Sequence, residues 1–461
     1  MNSGYRSNMR NLNKIFNPKS IAVIGATPRK NSVGQGLFKN ILEYQTFRKE
    51  VEIYPVNPNR KKVLGKKSFP SILNIKEAVD LAIIAVPAVI VPKIIKECCQ
   101  KKVEGIIVIS AGFAETGKEG KILQDEILNR VRKAKIPMIG PNVLGIIRPS
   151  IELNTSFTPA IPQKGEIAIV SQSGALIDSI IDRNPLENYG FSTIISSGNE
   201  ADLETSDFLE WLKLDSQTKV IALYIEEIKD GRKFLKIAKE VSKIKPIVAI
   251  KAGKLKTGAK AISSHTGALA GSYEIYKAVF RKAGILEVET IEELLNIAKA
   301  LAWQPRCKNG IGIVTNGGGC GIVMADHCED LGIKLKELKK ETIKKIEKSG
   351  FMNPAWSKRN PVDILGDASP QRFKIAVEAL LEQKDIYGLL IIETLQIMTK
   401  PVENGKIIIR AAKKYPQKPI ICCFLGGKLT APGIKLLEIN RIPNFSELRE
   451  GALAMKALIN L

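Results

Sequence analysis

The chain has 461 residues, 44% of them hydrophobic and 25% charged, a balance that excludes a disordered polymer and provides for roughly three globular domains. A formal charge of +23 would suit nucleic acid, but the lysines are scattered over helix faces with no long basic run and no arginine–aromatic interleaving. A solvated surface that favours small anions, and no nucleic-acid partner, is the reading that follows.

The N-terminal stretch MNSGYRSNMRNLNK is polar and carries no secretory signal. From Ile21 to about residue 148, strands predicted at Ile21–Ile24, Val51–Tyr54, Leu81–Val86, Gly105–Ile109 and Pro137–Ile139 alternate with helical stretches. Such alternation gives a doubly wound parallel sheet, whose ligands bind at the carboxyl ends of the strands. Those ends hold Gly25 to Lys30, Pro55 to Arg60, Val86-Pro87, Ser110-Ala111-Gly112 and Gly140-Pro141-Asn142. A dinucleotide fingerprint would need G-x-G-x-x-G and an acidic residue after the second strand. Here that strand runs into Pro-Val-Asn-Pro followed by Arg60, which suits a phosphorylated ribose better than NAD and argues against a dehydrogenase. The apolar run Leu81 to Pro92 is too short to cross a bilayer and is interrupted by Pro87, so no membrane association is expected.

A Pro-, Ser- and Thr-rich stretch, Arg148 to Gln163, reads as a linker to a second α/β domain of residues 164–303. Its first strand, Glu166–Val170, leads into Ser171-Gln172-Ser173-Gly174 and a helix; strands at Ser192–Ile195, Val220–Ile225 and Ile247–Ile250 follow. Lys251 to Ser272 is then a long small-residue loop carrying His265, one of only two histidines in the chain. A loop of that length without structure of its own is more often functional than idle. A third domain, residues 310–461, repeats the first unit of the second: strand Gly310–Val314, then Thr315-Asn316-Gly317-Gly318-Gly319, then a helix. Further strands are predicted at Leu389–Glu393 and Pro419–Phe424. Each Gly-rich turn ends a buried strand and opens a helix, an arrangement that presents N–H groups to phosphate. The two together suggest one phosphate site facing His265. The seven cysteines show no C-x-x-C spacing, and Cys320, His327 and Cys328 do not complete a metal set, so reduced thiols, no metal and a cytoplasmic protein are expected.

GPNVLGI from Gly140, SQSGAL, YIEEIKDGRKF, SSHTGALAGS, TNGGG and NPVDILGDA from Asn360 follow one another in an order that resembles the α subunit of the nucleoside-diphosphate-forming acyl-CoA synthetases. That family, typified by ADP-forming acetyl-CoA synthetase, belongs to the succinyl-CoA synthetase superfamily. The resemblance implies an α/β protein with a Rossmann-like CoA-binding domain, residues 1–148, followed by two flavodoxin-like doubly wound domains. It implies that His265 is phosphorylated and that a glutamate after Val220–Ile225 orients it. Glu226 and Glu227 are adjacent there, and strand alternation should turn only one, Glu226 by preference, toward the histidine. Coenzyme A would lie on Thr27, Pro28, Arg29, Lys30, Arg60, Ile109, Ser110 and Ala111. Phosphate would lie on Ser171, Gln172, Ser173, Gly174, Asn316, Gly317, Gly318 and Gly319. The implied reaction takes acyl-CoA, ADP and phosphate to acid, CoA and ATP through an acyl phosphate. Cys320 stands where the family usually has proline. No P-loop or ATP-grasp pattern is present, so Mg²⁺ and nucleotide are expected on an ATP-grasp β subunit of an α2β2 heteromer. A non-catalytic CoA-binding regulator of the same fold is the alternative, although such a protein would have no need of His265 or the glycine loops.

Overall fold

The computed structural model describes residues 12–258, 260 and 272–460. His265 lies outside the described residues. Contacts divide the chain into two compact units, one ending at Glu287 and one beginning at Val288.

The first unit holds two large sheets and a small antiparallel pair, Lys62–Val63 with Lys66–Lys67. Ser20–Ile24, Glu52–Val56, Leu81–Ile84, Gly105–Val108 and Met138–Ile139 form a five-stranded parallel sheet. Taken across the sheet, the second of these strands comes first, then the first, third, fourth and fifth. Leu81–Ile84 is buried along its length because helices cover both faces, which is why it reads as an unbroken apolar run. Helix Val33–Phe47 buries Leu37, Phe38, Ile41 and Tyr44, a helical stripe that lies in the core with Ile21 and Val23. The order changes direction between Ser20–Ile24 and Leu81–Ile84, which opens a crevice beyond Ile24 and Ile84.

The second sheet has seven strands in the order Leu286–Glu287, Ile247–Lys251, Val220–Ile225, Lys164–Ser171, Phe191–Ser196, Ile146–Arg148, Leu153–Asn154. The stretch expected as a linker therefore contributes to this sheet: Ile146–Arg148 and Leu153–Asn154 form an antiparallel pair at its edge. Asn154, Thr155, Ser156 and Thr158 are buried and hydrogen-bonded. Asn40 donates to the Ser156 and Thr158 carbonyls at 2.8 Å each, and the Thr155 hydroxyl bonds to the backbone of Ile146. Arg148 donates to Phe16 O at 3.0 Å and to Asp215 at 3.2 Å and lies over the Trp211 ring. Composition suggested a solvated connection, but hydrogen bonds replace the water here.

The second unit is built on a four-stranded parallel sheet in the order Val362–Asp363, Ile311–Thr315, Gly388–Glu393, Ile420–Phe424. Helix Ile291–Trp303 lies in this unit, where the buried Lys299 ammonium is 2.8 Å from Glu438. Among the described residues no helix is long and apolar enough to cross a membrane.

Candidate active site

At the crevice of the first sheet, the loops after four strands are tied together by backbone-directed bonds. Asn57 Nδ2 donates to Ala26 O at 2.9 Å, Ala85 N to Ile24 O at 2.9 Å, and the Ser110 hydroxyl to Val86 O at 2.5 Å. Gly25 sits at φ +98°, and a Cβ there would stand 2.2 Å from Ala85 O, so only glycine fits the turn. Thr27 is half-buried; Pro28, Arg29 and Lys30 are exposed, as is Arg60. Helix Val33–Phe47 opens without a side-chain cap and without an acidic residue in its first turn, leaving N–H groups and a positive dipole end for an anion. Ile109 is a core residue whose N–H is bonded to Ile84 O, so its carbonyl is the polar group it has left to offer. Ser110 Oγ also accepts the Val86 N–H, which gives it a structural task, and Ala111 is exposed.

In the second sheet, Lys164–Ser171 pairs with Val220–Ile225, and the turns after the two strands are joined by one side chain. Gln172 Oε1 accepts the N–H of Glu226 at 2.6 Å and of Glu227 at 2.9 Å, and its Nε2 donates to Glu227 O at 2.9 Å. The carboxamide expected to meet phosphate is thus committed to the turn that carries the glutamates. The Ser171 hydroxyl accepts from Ser173 N and donates to Ser173 O, closing the loop upon itself. Ser173 caps helix Gly174–Arg183 by accepting from Leu176 N. The N–H groups of Gly174 and Ala175 at the first helical positions are what this loop can present to a phosphate. The strand ends at Ile225, so alternation does not sort Glu226 from Glu227, and both are half-buried.

The neighbouring strand Ile247–Lys251 ends level with it, Ile225 opposite Lys251, and leads into the segment that carries His265. Lys251 is 5% exposed. Its ammonium donates to Glu226 O at 2.8 Å and to Ala252 O, and lies 4.5 Å from the centroid of the Tyr276 ring. Burial pushes its pKa below the ordinary lysine value, while Glu226, Glu227 and Glu287 pull it back up.

The second unit repeats this construction. The Thr315 hydroxyl accepts from Gly317 N and donates to Gly317 O, both at 3.0 Å. Asn316 Oδ1 accepts Thr394 N at 2.7 Å and its Nδ2 donates to Thr394 O at 2.9 Å, joining the ends of paired strands Ile311–Thr315 and Gly388–Glu393. Helix Gly318–Asp330 begins with no side-chain cap, and a Cβ on Gly319 would meet nothing within 4 Å. A Cβ on Gly318 would stand 2.5 Å from Asp363 Oδ2. Among the described residues no group of three or more His, Cys, Asp and Glu could hold a metal.

Residues 19–149 match the CoA binding domain family, 164–301 the succinyl-CoA ligase like flavodoxin domain and 311–454 the Ligase-CoA domain. The α subunit of acetate–CoA ligase [ADP-forming] II of Pyrococcus furiosus is 40% identical, with 97% of each chain aligned. The chain belongs to the ADP-forming acetate–CoA ligase α-subunit family. Acetate–CoA ligase [ADP-forming] I of Archaeoglobus fulgidus is 42% identical over 94% of this chain, but the chain spans only 61% of that relative's length. A dinucleotide-forming acetyl-coenzyme A synthetase 1 of Candidatus Korarchaeum cryptofilum, solved with phosphate and ADP, superposes with a TM-score of 0.92. It is 34% identical, over 98% of this chain and 97% of that one. For a chain of this ligase family, the residue that the sequence reading passed over is Lys251. Its signal was a single charge closing the otherwise apolar strand Ile-Val-Ala-Ile, a position where an unpaired lysine would be costly.

Proposed function

We propose that the chain is the acyl-CoA- and phosphate-handling α subunit of an ADP-forming acyl-CoA ligase, with acetyl-CoA as its substrate. The observation that carries this reading is the Gln172 latch. It holds Glu226 and Glu227 at the end of one strand while the strand beside it runs directly into the His265 segment.

Coenzyme A lies in the crevice of residues 1–148, with its phosphates at the opening of helix Val33–Phe47 and near Arg29, Lys30 and Arg60. A phosphate oxygen attacks the thioester carbonyl, the C–S bond breaks, and the thiolate leaves to take up a proton. A neutral imidazole nitrogen of His265 then attacks the phosphorus of the acyl phosphate; the P–O bond to the acyl group breaks and acetate departs. Glu226 or Glu227 accepts the N–H of the other ring nitrogen, fixing the tautomer and stabilising the cationic phosphohistidine. Helices Gly174–Arg183 and Gly318–Asp330, one in each flavodoxin-like domain (164–303 and 310–461), each open with N–H groups able to bind a phosphoryl oxygen. Each contributes about 0.3–1 kcal/mol through its dipole. Phosphohistidine then passes its phosphoryl group to ADP, held with Mg²⁺ on an ATP-grasp β subunit of an α2β2 complex in the cytoplasm.

The test is made with the purified chain. Given acetyl-CoA and phosphate, it should release free CoA thiol in an amount limited by its own sites, leaving added ADP unphosphorylated. Addition of an ATP-grasp subunit should turn the burst into steady ATP formation. Steady ATP formation without a second polypeptide would contradict the division of labour.

A further inference from the structure

We propose that Lys251 is a positioning residue for phosphoryl transfer: its ammonium fastens the Glu226–Glu227 turn to the entry of the His265 segment and keeps a positive charge beside the two carboxylates. The inference rests on the function proposed above and goes beyond it by naming what holds the glutamate turn in place.

The geometry gathers three elements at one nitrogen. Glu226 O belongs to the turn, Ala252 O to the first residue of the segment, and the Tyr276 ring to helix Tyr273–Ala283, which follows the segment. The same tyrosine accepts the N–H of Ile228 at 3.2 Å through its hydroxyl, so the turn is held from the helix side as well. Both flanks of the His265 segment are thereby connected to the turn through Lys251. The groups whose charge bears on this ammonium are Glu226, Glu227, Glu287 and Lys254. Glu287 is already engaged, by Lys254 at 3.0 Å and by the Tyr273 hydroxyl at 2.8 Å. Of these groups, Glu226 and Glu227 belong to the turn that the ammonium itself holds. If two carbonyl bonds were its whole purpose, a neutral donor would serve without the burden of burying a charge.

Two uncharged variants, Lys251→Met and Lys251→Gln, and the charge-retaining Lys251→Arg separate these roles. Each is incubated with acetyl-CoA and labelled phosphate, and phosphohistidine formation and CoA binding are measured. In the uncharged variants the rate should fall by about tenfold or more with CoA affinity within about twofold. Lys251→Arg keeps the charge and should retain most of the wild-type rate, which a loss of packing alone would not allow. Wild-type rate in either uncharged variant, or a rate in Lys251→Arg as low as theirs, would overturn the proposal. Loss of CoA binding in both would also overturn it, by showing a general structural role. Absence of label from the wild-type chain would instead sink the proposed function itself.

Discussion

Gln172 and Asn316 are equivalent latches. Each follows a hydroxyl residue that closes its own loop, and each spends its carboxamide on the backbone N–H and C=O of the turn leaving the adjacent parallel strand. The weak repeat visible in sequence as Ser-Gln-Ser-Gly and Thr-Asn-Gly-Gly is therefore a repeat of hydrogen-bond pattern. What differs is the cargo: Glu226 and Glu227 in the first unit, Thr394 in the second.

Gln172→Ala should release the glutamate turn, leaving the N–H groups of Glu226 and Glu227 without their acceptor. Phosphohistidine formation should fall about tenfold or more, with a stability loss of about 1–3 kcal/mol. Asn316 is 1% exposed and also bonds to Gln396, so Asn316→Ala should cost a similar amount in the second unit. Urea denaturation and labelled-phosphate incorporation check both. Full activity in Gln172→Ala would show that the turn needs no latch.

Coenzyme A binding should depend on the first-sheet crevice. Arg60→Glu should weaken it and reduce its salt dependence, and Gly25→Ala should abolish it by driving a methyl into the Ala85 carbonyl. Calorimetry with CoA and NAD on the full chain distinguishes this from a dehydrogenase-like preference, which would show NAD as the tighter ligand.

Glu393 should make the second unit lose stability as pH rises. Its side chain is fully buried, Oε2 accepts from Asn404 at 2.6 Å, and Oε1 and Asn404 Oδ1 have no hydrogen-bond partner. Burial raises its pKa to about 7 from an ordinary 4.5. The folded state therefore holds the proton more tightly than the unfolded one. Stability is undiminished below about pH 4.5 and declines as pH rises through 7, by about 3 kcal/mol at most. Glu393→Gln should remove this dependence and stabilise the unit at pH 8. A wild-type denaturation midpoint that is flat between pH 5 and 8 would contradict it.

The long parallel strands were legible because burial on both faces writes them as continuous apolar runs, as in Leu81–Ile84 and Ile420–Phe424. The edge pair Ile146–Arg148 and Leu153–Asn154 was not, since it is short and its surroundings are polar residues that the fold buries by mutual hydrogen bonding. Ser171 to Gly174 and Asn316 to Gly319 could be singled out from the strand–glycine–helix pattern. The tasks of Gln172 and Asn316 could not, because each depends on which strand lies beside its own, and the residues that they hold are distant in sequence. Lys251 lay in plain view at the end of its strand, but its bonds to Glu226 and Ala252 exist only once two strands are paired.

Phosphorylation of His265 is tested most directly by the fate of labelled phosphate supplied with acetyl-CoA to the purified chain. One acid-labile, alkali-stable label per chain is expected, absent in His265→Ala and strongly reduced in the double variant Glu226→Gln, Glu227→Gln. Label that survives in His265→Ala, or that is lost in alkali as an acyl or carboxyl phosphate would be, would contradict phosphorylation of this histidine.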